Sequence, residues 1–461
     1  MAAVLISGAT AGAGEQPVKI GSRRELFVDR HLIAKLQGAA KLRLHRPDRG
    51  HVVLEHDPPW EGNTSGYHTI FQDGDLYRMY YRGGHSNGKK ETHPPVACYA
   101  ESKDGIHWTR PELGLFAFRG SKKNNIVWAG KGTHNFCPFL DTNPHCPADE
   151  KYKAVGGLKR IEGGLLAFGS PDGIRWRLLA DKPIITDGAF DSQNLVFWDT
   201  ARSEYRAYYR DFRRGVRDIK TATSKDFRRW PRGKWLTYPG APTEQLYVNQ
   251  VQPYGRAPHL FVAFPARYVG DRGSLVEGLF MTSRDGRTFH RWGEAIIRPG
   301  RNRDRWHNRS NYIWLGLVET RSALPGGGIE LSLYSNERYY KGRGVKIRRY
   351  TYRPDGFVSI NAPLRGGAVR TKPLTFSGER LRLNVATSAA GSVRAEIQTA
   401  AGEPIDGFRL ADCEEIYGDE LDRVVTWKRG AGVGRLAGRA VRLYFTLKDA
   451  DLYAFRFADG D

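Results

Sequence analysis

The chain is poor in sulfur and short of acid. Its 461 residues include 4 cysteines and 3 methionines. Cys98, Cys137, Cys146 and Cys413 form no CxxC pair and no His-Cys spacing of the kind that holds zinc, which excludes a zinc module. Cys137 and Cys146 flank a Pro-containing loop, leaving open a disulfide in an exported protein or two buried thiols. No stretch is long and uncharged enough to span a bilayer, and no segment calls for a long helix. Acidic residues number 50 against 72 Lys and Arg, a formal net charge of +22. Such a surplus suits polyanionic partners: nucleic acid, acidic lipid, or a sulfated or uronic polysaccharide. The basic residues are scattered rather than gathered in an arm or helix, which puts nucleic acid last. Arginines that only solvate the outside of a β-rich fold remain the alternative.

What the chain does have is aromatic residues, at 12%, with 53 Gly and 24 Pro, a composition of many short strands joined by turns. One stretch recurs. Ser102-Lys103-Asp104-Gly105-Ile106-His107-Trp108 returns as Ser170–Trp176, Ser224–Trp230 and Ser283–Phe289, with a worn fifth copy at Ser335-Asn336-Glu337. The serines lie 68, 54, 59 and 52 residues apart. An apolar run precedes each clear copy, and a Tyr- or Phe-rich strand signal such as Tyr77–Tyr81 or Tyr205–Tyr209 lies upstream of it. The pattern reads as strand, Ser/Asp/Gly turn, strand. Several strands repeated at such intervals predict a five-bladed β-propeller, with blades near 64–112, 134–180, 189–236, 245–294 and 308–353. Unrelated hairpins in a sandwich are the alternative. Leu26–Asp29 and Leu32-Ile33 read as the N-terminal strand or turn before blade one, where a strand that closes the ring is expected.

After Pro354-Asp355-Gly356 the box disappears while strand alternation continues through Thr371–Phe376, Arg380–Val385, Val393–Ile397, Arg423–Trp427, Val441–Leu447 and Leu452–Phe457. The domain expectation is therefore a propeller over 15–357 and a β-sandwich over 358–461. Residues 1–14 are small and apolar like the end of a secretory signal, without its positive start, so a secreted or periplasmic protein is expected.

In a propeller the loops entering the innermost strands face one mouth, so functional side chains are sought there. Those segments hold Glu61 with Tyr67 and His68, Asn135, Asp191 with Gln193 and Asn194, Glu244 with Tyr247 and Asn249, and Trp306 with His307 and Arg309. Rings that stack on sugar faces, beside amides and carboxylates that take hydroxyls, make a saccharide site. The repeat, the polar inner strands and the trailing β domain resemble the five-bladed propeller glycoside hydrolases: the invertase, levanase, arabinanase and β-xylosidase superfamily. The box also resembles the Asp-box turn of sialidases, which implies a structural role on the outside of the blades.

The resemblance implies carboxylate general acid/base cleavage of glycosidic bonds. It places the acid at Asp191, before blade three's inner strand. Glu61 falls upstream of the family's blade-one aspartate, whose nearest position holds Ser65, and Glu244 is the third catalytic candidate, with Asp304 in reserve. Tyr67, His68, Asn135, Gln193, Asn194, Tyr247, Asn249, Trp306, His307 and Arg309 are the expected substrate-binding residues. The expected partner is a plant or algal carbohydrate, acidic or sulfated if the net charge is a guide. No cofactor is required, though a structural calcium or sodium ion on the axis is compatible with the resemblance. A non-catalytic carbohydrate-binding propeller, a lyase using His68 and a tyrosine, and a phosphorylase stay open.

Overall fold

A computed structural model describes residues 15–459. The leader expected over 1–14 lies outside the described residues. The chain divides into two compact units, one spanning His45–Pro354 and the other joining the residues up to Leu44 with those from Asp355 on. No helix among the described residues is long and apolar enough to cross a membrane.

The first unit is a propeller of five four-stranded antiparallel sheets. Their inner strands are Gly66–Asp73, Cys137–Leu140, Leu195–Asp199, Gln252–Tyr254 and Val318–Arg321. The last blade takes its outer strand, Asp48–Glu55, from the beginning of the unit; Lys346 pairs with Glu55 and Ile347 with Leu54. That strand closes the ring. The sequence expectation had placed closure at Leu26–Ile33, but those residues pair instead with the other unit's strands and bury Leu26, Phe27 and Leu32 there. A second correction concerns blade one, which ends not near residue 112 but at Ile126–Ala129. The segment after Trp108 makes only a single bridge, Glu101 to Thr109, before leaving the sheet.

Each box is a closed local hydrogen-bond circuit. Asp104 Oδ1 accepts the N–H groups of Ile106 and His107 at 2.8 Å and the Ser102 hydroxyl at 2.9 Å, and Ser102 Oγ accepts the Gly105 N–H at 2.9 Å. The same bonds recur at Asp172 and Asp285. These turns also fasten neighbouring blades together. The Tyr80 hydroxyl of blade one donates to the Gly173 carbonyl of blade two at 2.9 Å, Tyr208 of blade three to Gly286 of blade four at 2.7 Å, and Tyr334 of blade five to Gly105 of blade one at 2.6 Å. Where blade two meets blade three, Val155 stands in the tyrosine's place and Phe227 in the glycine's, and the two join one apolar cluster. In blades one, two and three another tyrosine of the second strand reaches back to the preceding blade: Tyr77 to the Glu319 carbonyl, Tyr152 to Asp73 and Tyr205 to Asp141, at 2.6–2.7 Å. Burying these hydroxyls without an acceptor would cost roughly 1–3 kcal/mol each, so the tyrosines favour one blade spacing.

The second unit is a ten-stranded sheet system built around two long strands, Arg380–Thr399 and Val441–Ala458. Each fuses two of the short strands expected from sequence. Their pairing shifts register between Thr387 and Ser392. Apolar side chains from before and after that break, Leu381 and Leu383 with Val393 and Ile397, pack into one core. Strands from the N-terminal segment complete it: Ile33–Gly38 on Gly367–Thr371 and Lys41–Leu44 on Val358–Ala362. The expected boundary is therefore corrected in two respects: the propeller begins at about residue 45 rather than 15, and the other unit is discontinuous in sequence. Cys137 and Cys146 are free thiols; Cys137 Sγ lies 3.3 Å from Thr69 Oγ1, and Cys146 Sγ accepts from Lys153 Nζ at 2.9 Å.

The latches predict unequal costs. Tyr208→Phe removes one hydrogen bond and should cost about 1 kcal/mol. Gly286 has φ +76°, and a Cβ there would lie 2.9 Å from the Tyr208 hydroxyl and 2.8 Å from an Arg206 nitrogen. Gly286→Ala should therefore cost more, about 2 kcal/mol or above. Urea unfolding of both variants tests the order; equal midpoints would count against the latch.

Candidate functional site

Four of the five entries to the inner strands share a rhythm. One residue turns towards the mouth of the ring, and the next one or two turn into its axis. Tyr67 precedes His68, His134 precedes Asn135, Asp191 precedes Gln193, and Tyr247 precedes Asn249. The first member of each pair lines a cavity of about 540 Å³, to which all five blades contribute, and the second does not.

The axial members are consumed by the fold. Gln193 Nε2 donates to the His68 carbonyl at 2.9 Å and to Thr69 Oγ1 at 3.0 Å, while its Oε1 accepts from Gln250 at 2.7 Å. Asn249 reaches the Gln193 and Tyr208 carbonyls. Asn135 donates to the carbonyls of Gly157, Phe190 and Ser192, and Asn194 to the last two of these. His68 is fully buried with its Nε2 2.8 Å from His56 Nε2. None of these five residues, expected to bind substrate, lines the cavity: Asn135, Gln193 and Asn249 bond across blades, Asn194 bonds within its own, and His68 meets His56.

The three expected catalytic carboxylates do not converge. Glu61 is buried, accepting from the Tyr81 hydroxyl at 2.7 Å and from Arg110 at 3.0 and 3.1 Å, with His56 Nδ1 at 2.6 Å. Burial works to raise its pKa, but His56 and Arg110 prevail and hold the carboxyl below its ordinary value. Burial likewise keeps His56 below the usual histidine range. Every oxygen of Glu61 is committed, and it is absent from the cavity lining. Glu244 accepts from Arg267 at 2.8 Å, pairs with Arg291 at 3.0 Å, and lines a different groove with Asp218 and Tyr238. Asp304 pairs with Arg338 and Lys341. Trp306 is exposed at the surface and His307 meets Lys341 Nζ at 2.7 Å; neither lines the cavity.

Asp191 does stand in the cavity. Its side chain is 55% exposed and lies 3.0 Å from His134 Nε2. A carboxylate only accepts, so Nε2 carries the proton. The hydrogen bond from His134, with the nearby charges of Arg210 and Arg82, holds Asp191 well below the carboxylate range. Burial, then the Arg82 charge, keeps His134 below the usual histidine value despite Asp191. At neutral pH the pair is therefore a neutral imidazole donating to an ionised carboxylate. Arg82 completes the corner: it stacks over Tyr67 at 4.8 Å and donates to the Thr64 carbonyl at 2.7 Å and to the Tyr339 hydroxyl at 2.6 Å.

His134, Arg82 and Tyr339 were missed from sequence. Hairpin geometry offers a signal for Arg82, since the end of a blade's second strand lies beside the start of its first; Arg82 pairs with Gly66. Tyr67, Arg309 and Tyr340 have φ values of +55°, +56° and +58° and all line the cavity. Left-handed backbone at non-glycine residues is a cost that tends to gather at functional sites. Two further carboxylates line the cavity. Glu162 is tied by the N–H groups of Gly132 and Leu158, whereas exposed Glu91 accepts, among the described residues, only from Thr64 Oγ1, at 3.2 Å. No group of three His, Cys, Asp or Glu side chains converges on a metal position among the described residues.

No protein-family model and no curated protein matches the chain. Solved structures resembling it include a glycoside hydrolase, 16% identical over 66% of this chain and 92% of that one, at a TM-score of 0.45. The catalytic domain of Coprinopsis cinerea GH62 alpha-L-arabinofuranosidase is 9% identical over 67% and 99%, at 0.44. An N-acetylgalactosamine deacetylase from F. plautii is 13% identical over 68% and 96%, at 0.45. Similarities of this size speak to neither activity nor substrate.

Glu61→Ala should destabilise the propeller by about 3–5 kcal/mol, because it strands Arg110 and two buried rings. Its folded pKa is depressed, so its contribution is present above the ordinary Glu range and fades as pH falls through the lowered value. Asp191→Asn, at an open side chain, should shift stability by less than about 1 kcal/mol. Thermal melts of the two variants should separate fold from site; a strong loss of stability in Asp191→Asn would reverse the assignment.

Proposed function

We propose that the chain is a carbohydrate-active enzyme that cleaves glycosidic bonds, with the mouth cavity as its active site. The observation that carries this is the His134–Asp191 pair, set in a cavity whose walls include Tyr67, Tyr247, Tyr339 and Tyr340. Tyrosine faces suit the C–H faces of sugar rings, and a carboxylate kept ionised suits attack on, or water activation beside, an anomeric carbon.

This reading changes the role expected of Asp191. A carboxyl held well below its usual range carries no proton to give at neutral pH, so Asp191 serves as base or nucleophile. The proton for the departing oxygen comes from another group, and Glu91 is the lining carboxylate besides Asp191 that keeps an uncommitted oxygen. In hydrolysis water supplies the hydroxyl to the anomeric carbon, and the leaving oxygen takes the proton. A second reading rests on the neutral His134 beside Arg82 and Tyr339: such a set could abstract a proton next to a uronate carboxylate and eliminate the glycosidic oxygen. The two differ in product, since elimination leaves an unsaturated, ultraviolet-absorbing end. A binding-only propeller would need the same tyrosines but not the ionised pair.

The purified protein, screened against neutral and acidic polysaccharides, should release reducing ends without ultraviolet absorbance. Asp191→Asn should cut the rate by more than about a hundredfold. Removing His134 by His134→Gln should move the acid limb of the pH–rate profile upward, because Asp191 loses its main stabilising donor. Persistent release by Asp191→Asn would shift the reacting carboxylate elsewhere. Retention of polysaccharide with no release would leave the binding propeller ahead.

A further inference from the structure

The cavity lining carries four basic side chains, Arg82, Lys131, Arg160 and Arg309, against three carboxylates, Glu91, Glu162 and Asp191. Asp191 is taken by His134 and Glu162 by backbone N–H groups, while Arg160 and Arg309 face the same space from blades two and five. Neither arginine has a carboxylate partner among the described residues. Arg160 is solvated on an exposed loop, as a free surface arginine would be. Arg309 is different, because it is built into position.

Its backbone sits at φ +56°, with its N–H donated to the Ser274 carbonyl at 2.9 Å and its carbonyl accepting from Asn336 Nδ2 at 3.3 Å. Its Nε donates to Asn308 Oδ1 at 2.8 Å, and the guanidinium lies over the Tyr340 ring at 5.1 Å. Tyr340 is in turn set edge-on against Tyr339, with ring centroids 4.7 Å apart. The side chain is thus fixed at its backbone, at Nε and along its flat face. Its two terminal nitrogens, the half of the fork that grips a planar anion, make no hydrogen bond among the described residues. A guanidinium that is oriented but unpaired has lost side-chain freedom without gaining a partner.

We infer that Arg309, assisted by Arg160, recognises an acidic substituent of the saccharide, a carboxylate or sulfate group, and so selects acidic over neutral sugar chains. The inference rests on the cavity being a saccharide site, as proposed above. A tetrahedral sulfate and a planar carboxylate both match the fork, and the experiment separates them.

The probes are uronic-acid oligosaccharides with their carboxyl-reduced counterparts, and sulfated oligosaccharides with their desulfated ones. Calorimetric binding and product release are read side by side on the wild-type protein. One acidic series should bind at least about tenfold more tightly than its neutral counterpart, the scale of one charge-assisted pair, and the preference should shrink with salt. Preference confined to the uronates or to the sulfated sugars identifies the group. Arg309→Gln should abolish the preference, read as the ratio of acidic to neutral binding, and Arg309→Lys should restore it only in part because a single ammonium cannot make the bidentate contact. Equal or better binding of the neutral members overturns the inference yet leaves the cleavage reading standing. Acidic members that bind but are never cleaved uphold the inference and sink the cleavage reading. Binding of no member overturns both. Should Arg309→Gln fold poorly, the wild-type comparison of each acidic probe with its neutral counterpart still decides.

Discussion

Tyrosine hydroxyls cross from one blade to the next at four of the propeller's five seams, and its spacing rests on them. A blade alone is a small twisted sheet with two open faces and two edges, too little to be stable in water. Packing five around an axis buries the faces, but apolar contact is tolerant of sliding. Hydrogen bonds are not. Tyr80, Tyr208 and Tyr334 each end on the carbonyl of a box glycine in the next blade, and Tyr77, Tyr152 and Tyr205 each end on the preceding one. The boxes are therefore more than turns: their Ser and Asp side chains hold the glycine carbonyl where a neighbour's hydroxyl must find it. The strand Asp48–Glu55 does for the last blade's edge what these bonds do for the faces.

A cavity assembled from five blades inherits that rigidity. His134 and Asp191 come from different blades and meet at 3.0 Å only because Asn135, Gln193 and Asn194 fix the strand entries behind them. Buried amides next to the axis thus act as positioning groups for the exposed chemistry one or two residues upstream. The electrostatics follow from the same placement. Burial, then Arg82 anchored on Thr64 and Tyr339, keeps the imidazole neutral, and the imidazole's hydrogen bond keeps the carboxylate charged.

How much of this could be read in advance divides by distance along the chain. The boxes were legible because their hydrogen bonds span three residues, so Ser, Asp and Gly must sit together. Tyr67, Asp191, Tyr247 and Arg309 were legible because each lies just before or within an inner-strand entry. Glu61 sits at a similar entry, but its partners His56, Tyr81 and Arg110 come from separate segments, and only the fold shows that they saturate it. Gln193 and Asn249 stand two residues after Asp191 and Tyr247, a spacing that would share one face of a regular strand, yet only Asp191 and Tyr247 line the cavity, so the irregular backbone of the entries decides and the residue pattern does not show it. The closing strand was hidden for a different reason. Asp48-Arg49-Gly50-His51-Val52 is polar because it lies on an outer edge, whereas the more apolar Leu26–Ile33 looked like core and is core, of the other unit.

That discontinuity gives the protein an order in time. On the ribosome Ile33–Gly38 and Lys41–Leu44 emerge early, yet the strands they pair with begin at Val358. All of the propeller is synthesised in between, an interval on the order of tens of seconds at about 5–20 residues per second. For that time the first strands are open edges without partners, while the ring completes itself from Asp48 onward and needs nothing downstream of Tyr352. The nascent chain therefore carries a finished propeller and an unfinished sheet together, and whatever shields exposed strands in the cell has this segment to shield first.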